Sequence, residues 1–320
     1  MMNEQNMLEV RNLTKHFKVG SKQIVHAVDG VSFTLKKGKT LGLVGESGCG
    51  KSTCARTIIR MYAPTSGQIL LNGEDITELK QKQLKPYRKN MQMIFQDPYS
   101  SINPHFSVGE TVLDPLRVSK TITDKNKRMA KVTETMELCG LPERYFNTYP
   151  HELDGGRRQR VGLARALVLD PEFIVCDEPV SALDVSIQAQ ILNLLMDLQE
   201  QRKIAYMFIT HDLCVVRHIS HEIMVMYMGQ VVEYASRDEL FRHPVHPYTV
   251  GLLNAIPTVD LSKRNRERHL LSGEVSNPID PAPGCRFANR CPYASEKCKE
   301  PQVLTEIAPN HFVACHECVK

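Results

Sequence analysis

Nine consecutive residues, Gly45-Glu46-Ser47-Gly48-Cys49-Gly50-Lys51-Ser52-Thr53, constrain the fold of this chain more than any other stretch. They follow an apolar, strand-like run from Thr40 to Val44 and precede a helix-compatible run from Cys54 to Tyr62. Glycine, four residues, then Gly-Lys-Ser is the spacing of a phosphate-binding loop between a strand and a helix. The glycines let successive backbone N–H groups turn inward around phosphate oxygens, and the helix that follows presents its positive end to the anion. Lys51 reaches the β- and γ-phosphates, and the Ser52 hydroxyl ligates Mg2+. Gly45, Ser47, Gly48, Cys49, Gly50, Lys51, Ser52 and Thr53 are therefore candidate nucleoside-triphosphate ligands. A plain glycine-rich turn is the competing reading, and the lysine and hydroxyls in register count against it.

At 320 residues the chain is long enough for two domains with a full core. A net charge of +4 is too small and dispersed to argue for nucleic acid or an anionic lipid surface. The local basic stretch from Lys120 to Lys131 reads as a solvated helix face. No apolar run approaches a membrane span, and the polar start, Met1 to Asn6, lacks a signal-peptide core, so a cytoplasmic origin is expected. Five of the ten cysteines fall in the last thirty-six residues, a clustering that suits metal binding better than disulfides in such a compartment.

Along the chain, Leu8 to about Leu35 alternates apolar runs with turn formers, Val19-Gly20-Ser21 and Asp29-Gly30, which predicts a small β layer. Asn72-Gly73, between Ile69-Leu70-Leu71 and Asp75-Ile76, predicts a hairpin. Residues 107 to 169 carry helical patterns, with breaks expected at Pro115, at Gly140 to Pro142 and at Pro150. The continuous apolar runs Phe173 to Cys176 and Ala205 to Ile209 suit strands buried on both faces, with a helix over residues 187–202 between them. After Val232 the composition shifts to His, Pro and Arg, and the last forty residues show little periodicity.

Asp177 and Glu178 end one of these apolar runs, and that is the chemistry a phosphate loop needs next. One carboxylate holds Mg2+ and another orients or deprotonates the attacking water. A bare acidic pair at a strand end is weak evidence, but this one keeps company with Gln96 after Met91 to Phe95, with Ser181-Ala182-Leu183-Asp184, and with His211 after the next apolar run. In that set and order the chain resembles the nucleotide-binding subunit of an ATP-binding cassette (ABC) transporter over about residues 8–235. The resemblance implies an α/β P-loop ATPase with an N-terminal antiparallel β layer and a helical subdomain inserted at about 97–169. It further implies that Glu178, His211 and Gln96 are catalytic, with Mg2+ held by Ser52, Gln96 and Asp177. Phe17 is implied to stack on adenine, against the bland reading of a core phenylalanine in a strand. Asp184 is implied to reach the dimer interface.

The family's Leu-Ser-Gly-Gly-Gln signature stands here as Leu153-Asp154-Gly155-Gly156-Arg157. In the family this segment completes the ATP site of the opposite subunit, and an ionised Asp154 cannot donate to a phosphate. A carboxylate about 4 Å from a phosphate charge costs on the order of 4 kcal/mol at an effective dielectric near 20. Two readings of Asp154 stand. It degrades one ATP site of an asymmetric heterodimer with a paralogous ATPase, or it turns away to cap the helix beginning near Gly155.

His243-Pro244-Val245-His246-Pro247-Tyr248-Thr249 reads as a proline-rich turn into a helix, and it resembles the C-terminal extension of the oligopeptide/dipeptide (peptide/nickel) importer branch. The resemblance then extends over nearly the whole chain, with the small Cys-rich extension at 236–320. Cys285, Cys291, Cys298 and Cys315 match the pattern by which some members hold a [4Fe–4S] cluster, with Cys318 as a possible substitute. Four thiolates suit Zn2+ as well, and unligated structural thiols are the third reading. The branch implies two membrane permease subunits, an extracellular or periplasmic solute-binding protein, no nucleic acid, and a place on the cytoplasmic face of a prokaryotic plasma membrane. Peptide cargo follows from the branch alone, with nickel or another small solute as the alternative. A soluble ABC ATPase without a transport role, or one regulated by the redox state of its tail, is the reading from another class.

Overall fold

The computed structural model describes residues 6–20, 22–256, 273 and 278–318. Ser21 of the first predicted turn and part of the extension, residues 257–272 and 274–277, lie outside the described residues. In chain order the elements are β1 (Asn6–Val19), β2 (Gln23–Lys36), β3 (Thr40–Val44), α1 (Lys51–Ile58), β4 (Ser66–Leu71) and β5 (Glu74–Asp75). There follow α2 (Gln81–Arg88), β6 (Met91–Ile94), α3 (Pro98–Ser101), α4 (Val108–Ser119), α5 (Lys125–Leu138) and α6 (Gly155–Leu167). Next come β7 (Phe173–Asp177), α7 (Val185–Arg202), β8 (Ala205–Ile209), α8 (Leu213–Ile219), β9 (Glu222–Tyr227) and β10 (Gln230–Ser236). The chain closes with α9 (Arg237–Arg242), α10 (Pro247–Asn254), β11 (Thr305–Ala308) and β12 (His311–Val313). Among the described residues no helix is long and apolar enough to cross a membrane.

These elements divide into two compact units built from interleaved stretches of chain. The first takes residues 6–8, 35–39 and 71–208 and contains the strand order β8-β7-β6, with β6 and β7 parallel in the register Met93↔Val175. Every residue of β7 and β8 is buried, as continuous apolar runs require when both faces are covered. Helix α6 packs against α3, α4 and α5, and Gly156, Val161, Leu163 and Leu167 are among its buried residues. The break expected at Pro115 does not occur, because α4 runs through it. Proline removes one helical hydrogen bond, but burial of Val108, Val112, Leu113 and Leu116 along one face holds the turns on either side. Gly140, at φ 69°, does end α5 as expected. Asn72 (φ 51°) and Gly73 (φ 83°) turn the chain between β4 and β5, as the hairpin motif predicts.

The second unit takes residues 9–34, 40–70 and the described residues from 209 onward. One of its sheets has the order β2-β1-β4 and the other β11-β12-β10-β9-β3. Strand β3 lies parallel to β9 (Gly42↔Ile223), while β10 pairs antiparallel with both β9 and β12 (Glu233↔Val313). Asp29-Gly30, expected as a turn, lies inside β2, where Gly30 at φ 66° bends a strand that continues past it. The tail, with little periodicity, nonetheless contributes β11 and β12, too short at four and three residues to show a period. The extension expected at 236–320 thus shares a unit with the phosphate loop. One apolar core joins Val44, Val225, Tyr227, Leu240 and Tyr248 to Phe287 of the tail.

Candidate functional site

In the second unit the motif of residues 45–53 curls as a phosphate-binding loop. Gly50, at φ 105°, caps α1, and a Cβ there would meet the Ala27 carbonyl oxygen at 2.1 Å, so only glycine fits. The Lys51 ammonium is buried and donates to the carbonyl oxygens of Gly45 (2.8 Å) and Glu46 (2.9 Å), inside the loop's own curl. Ser52 and Thr53 are half-buried at the start of α1, where a Mg2+ ligand and a phosphate donor belong, and Ser47 and Gly48 are exposed. Cys49 is buried, which pushes its thiol pKa up, so it is no reactive thiolate. Phe17 is half-buried in β1 with Tyr62 edge-on at 5.6 Å. His211 is exposed at the end of β8.

In the first unit Asp177 is 1% exposed at the end of β7, and Glu178 follows at φ 48°, a left-handed conformation uncommon outside glycine. That turn aims the Glu178 carboxylate at Gln96, whose side-chain N–H donates to it at 2.8 Å. The two candidate catalytic residues are thus brought together from positions 82 residues apart. Asp184 caps α7 by accepting from the Ile187 N–H at 3.0 Å. Leu153 is buried, and Asp154 caps α6, its carboxylate accepting from the Arg157 N–H at 2.7 Å and from the Arg157 guanidinium. The cap expected of Asp154 is observed. Gly155 and Gly156 face Leu183 and Ile187, and a Cβ on Gly156 would lie 2.6 Å from Ile187.

The cysteines of the tail gather in the second unit. Cys285 has Cys298, Cys315 and Cys291 as its electrostatic neighbours, and burial pushes its thiol up to about 11. The Cys285 N–H donates to the Cys298 carbonyl at 2.7 Å, an approach that requires Gly284, where a Cβ would lie 2.3 Å from that oxygen. The Cys318 sulfur lies 3.4 Å from the Val245 carbonyl oxygen, and its hydrogen bond to Cys315 holds the Cys315 thiol below its usual range. No three of these sulfurs lie within 4.8 Å of one another. Four sulfurs on one tetrahedral zinc stand about 3.8 Å apart, so the thiols as placed do not form a single-ion site.

Among the described residues, one group of potential ligand atoms does lie that close: His16, His26 and Asp29. Both imidazoles hydrogen-bond to the carboxylate, and Arg286 binds it too. Burial pushes the Asp29 pKa up, but these three partners outweigh it and leave it lowered. With a guanidinium already on the carboxylate, the group is an ion-paired tie rather than a cation site.

Sequence reasoning placed Glu46 in the loop but missed its partners, Arg290 and Tyr248. The Arg290 fork binds the Glu46 carboxylate at 2.6 and 3.0 Å, and the Tyr248 hydroxyl accepts from the Glu46 N–H at 2.8 Å. The only signal was indirect: both the His-Pro-Tyr segment and Arg290-Cys291 are conspicuous in composition.

Residues 28–181 match the ABC transporter family model, and residues 232–298 match the model for the oligopeptide/dipeptide transporter C-terminal region. The chain is 50% identical over 98% of both chains to the oligopeptide transport ATP-binding protein AppF of Bacillus subtilis. It is 49% identical to the putative oligopeptide transport ATP-binding protein YkfD of the same organism, over 97% of this chain and 95% of that protein. Among solved structures, the ATP-binding cassette MJ0796, a dimer in a post-hydrolysis state bound to ADP and Pi, superposes with a TM-score of 0.67 at 30% identity. The match covers 72% of this chain and 99% of that one.

Proposed function

Because the chain belongs to the ATP-binding subunits of ABC transporters, we propose that it hydrolyses ATP to energise a binding-protein-dependent importer of oligopeptides. The observation that carries this reading is the match of both regions, cassette and C-terminal extension, with 50% identity along the full length of a protein named for oligopeptide transport. The subunit sits on the cytoplasmic face of a prokaryotic plasma membrane against two permease subunits that receive peptide from a solute-binding protein.

The loop from Gly45 to Thr53 binds the triphosphate through backbone N–H groups and Lys51, which must leave the carbonyls of Gly45 and Glu46 to reach phosphate oxygens. Phe17 stacks on adenine. Ser52, Asp177 and Gln96 are the residues that would hold Mg2+, and the ion would neutralise charge developing on the phosphates. Glu178 accepts the proton of the attacking water, and the Gln96 amide orients its carboxylate. His211 donates to the γ-phosphate. Leu153 to Arg157 and Asp184 serve the ATP site of a paralogous partner in a heterodimer. Asp154 is held by its own helix start, which spares the phosphate its charge but leaves the site without the serine donor. The partner-side site is therefore the slower of the two.

The thiols of Cys285, Cys291, Cys298 and Cys315 would hold a [4Fe–4S] cluster, and bound there it would tie the loops that carry them together. Cys315 is the fourth ligand, with Cys318 beside it as the substitute.

The test is uptake. A strain relying on this chain takes up a labelled oligopeptide, and Glu178→Gln abolishes uptake and hydrolysis while leaving ATP binding intact. Uptake of peptide that survives loss of the chain, with nickel uptake lost instead, moves the cargo to nickel. Anaerobic purification is expected to give absorption near about 400 nm with about four irons per chain. Stoichiometric zinc, or no metal, rejects the cluster and leaves the ATPase assignment standing.

A further inference from the structure

Between Cys285 and Cys291 the tail carries two arginines that leave the cysteine loop for other parts of the same unit. Arg286 binds the Met228 carbonyl and Asp29. Arg290 goes to the phosphate loop itself. Its side chain is 5% exposed and forks onto both oxygens of Glu46, the second residue of the loop. The guanidinium also lies 5.8 Å from the ring centroids of Tyr227 and Phe287, members of the core that contains Val44 at the end of the loop's strand.

Glu46 is gripped on every polar group. Its N–H donates to the Tyr248 hydroxyl at 2.8 Å, its carbonyl accepts from Lys51 at 2.9 Å, and its carboxylate takes Arg290. Two of these three grips come from the chain beyond residue 240. When ATP binds, Lys51 must release the Glu46 carbonyl, and the remaining ties then keep the loop from following the lysine or closing. A bidentate, largely desolvated pair suits that task, because its geometry is narrow and half of it is costly to leave unpaired.

We propose that Arg290 is a positioning residue for the phosphate loop. By its fork on Glu46 it holds the loop in the curl that receives phosphate, so the cysteine-rich extension sets the ATP affinity of its own chain. The inference rests on the nucleotide reading of the loop, and the experiment separates the two.

ATP binding to the full chain is measured by calorimetry for the wild type, Arg290→Met, Arg290→Lys, Glu46→Gln, the double variant Glu46→Gln/Arg290→Met, and Lys51→Ala. The thermal midpoint of each is recorded alongside. Arg290→Met and Glu46→Gln are each expected to weaken ATP about tenfold, and the double variant no more than the worse single one, because both remove one tie. Arg290→Lys, a point charge without the fork, is expected to fall between. Additive losses in the double variant, or wild-type affinity in Glu46→Gln, overturn the proposal. A lowered midpoint with additive affinities marks a merely structural arginine and also overturns it. If Arg290→Met does not fold, Glu46→Gln and Arg290→Lys decide the matter. A wild-type chain that binds ATP no better than Lys51→Ala instead rejects the nucleotide reading itself.

Discussion

At Asp154 a single carboxylate illustrates how the partner, not the residue type, sets the consequence. Free beside a phosphate it would repel, whereas here it accepts from the Arg157 N–H at 2.7 Å and pairs with that residue's guanidinium. Both side chains are about half exposed, so the ion pair itself adds little and the cap is the larger contribution. Asp154→Ala is therefore expected to lower stability by about 1 kcal/mol, while Asp154→Ser, an equally good cap, leaves the thermal midpoint unchanged. Asp154→Ser also returns a hydroxyl donor to the signature, and in the assembled transporter it is expected to raise the steady-state ATPase rate. An unchanged rate with an unchanged midpoint rejects the view that this position slows one site.

Helix α10 carries a similar lesson one level up. Its N-cap is His246, which is 1% exposed and accepts from the Tyr248 N–H at 3.1 Å. Burial holds the His246 pKa down to about 4, with Glu233 opposing that shift. A folded value below the unfolded 6.5 means that folding favours the neutral ring. Its stabilising contribution is full above pH 6.5 and is lost as pH falls towards about 4. The buried Glu233 also binds His311, at 2.8 Å, and that contact raises the His311 pKa. Its contribution runs the other way: it is full below 6.5 and is lost as pH rises through the higher folded value. His246→Asn keeps an acceptor for the cap and removes the titration. Chemical unfolding between pH 7 and pH 4 is expected to show a wild-type loss larger than the variant's by on the order of 3 kcal/mol at most. Parallel curves for the two reject this account. Helix α4 runs through Pro115 without a break. Local propensity forbids a proline in a helix interior, and the buried face of α4 overrides it.

For the whole molecule, the C-terminal extension is part of the body that presents the phosphate loop. β12 pairs with β10, and Phe287, Tyr248 and Leu240 share a core with Val44. Truncation after Ser236 strips those side chains and exposes the edge of β10, so the shortened chain is expected to be insoluble or to lose ATP binding. A soluble truncation that binds ATP as the full chain does would reject this dependence. The phosphate loop, the buried runs of β3, β7 and β8 and the acidic pair were legible because each is a local pattern, a motif or a run whose meaning lies within a few neighbours. β11 and β12 were not legible because three or four residues carry no period. Nor was the clamp on Glu46, whose partner lies 244 residues away. By itself, then, the sequence determined the nucleotide chemistry, the alternation of strand and helix, and the thiols of the tail, all of them set by residue type and spacing. Folding alone settled that Arg290 reaches the phosphate loop. That outcome depends on which distant groups share one desolvated space, and spacing along the chain does not encode it.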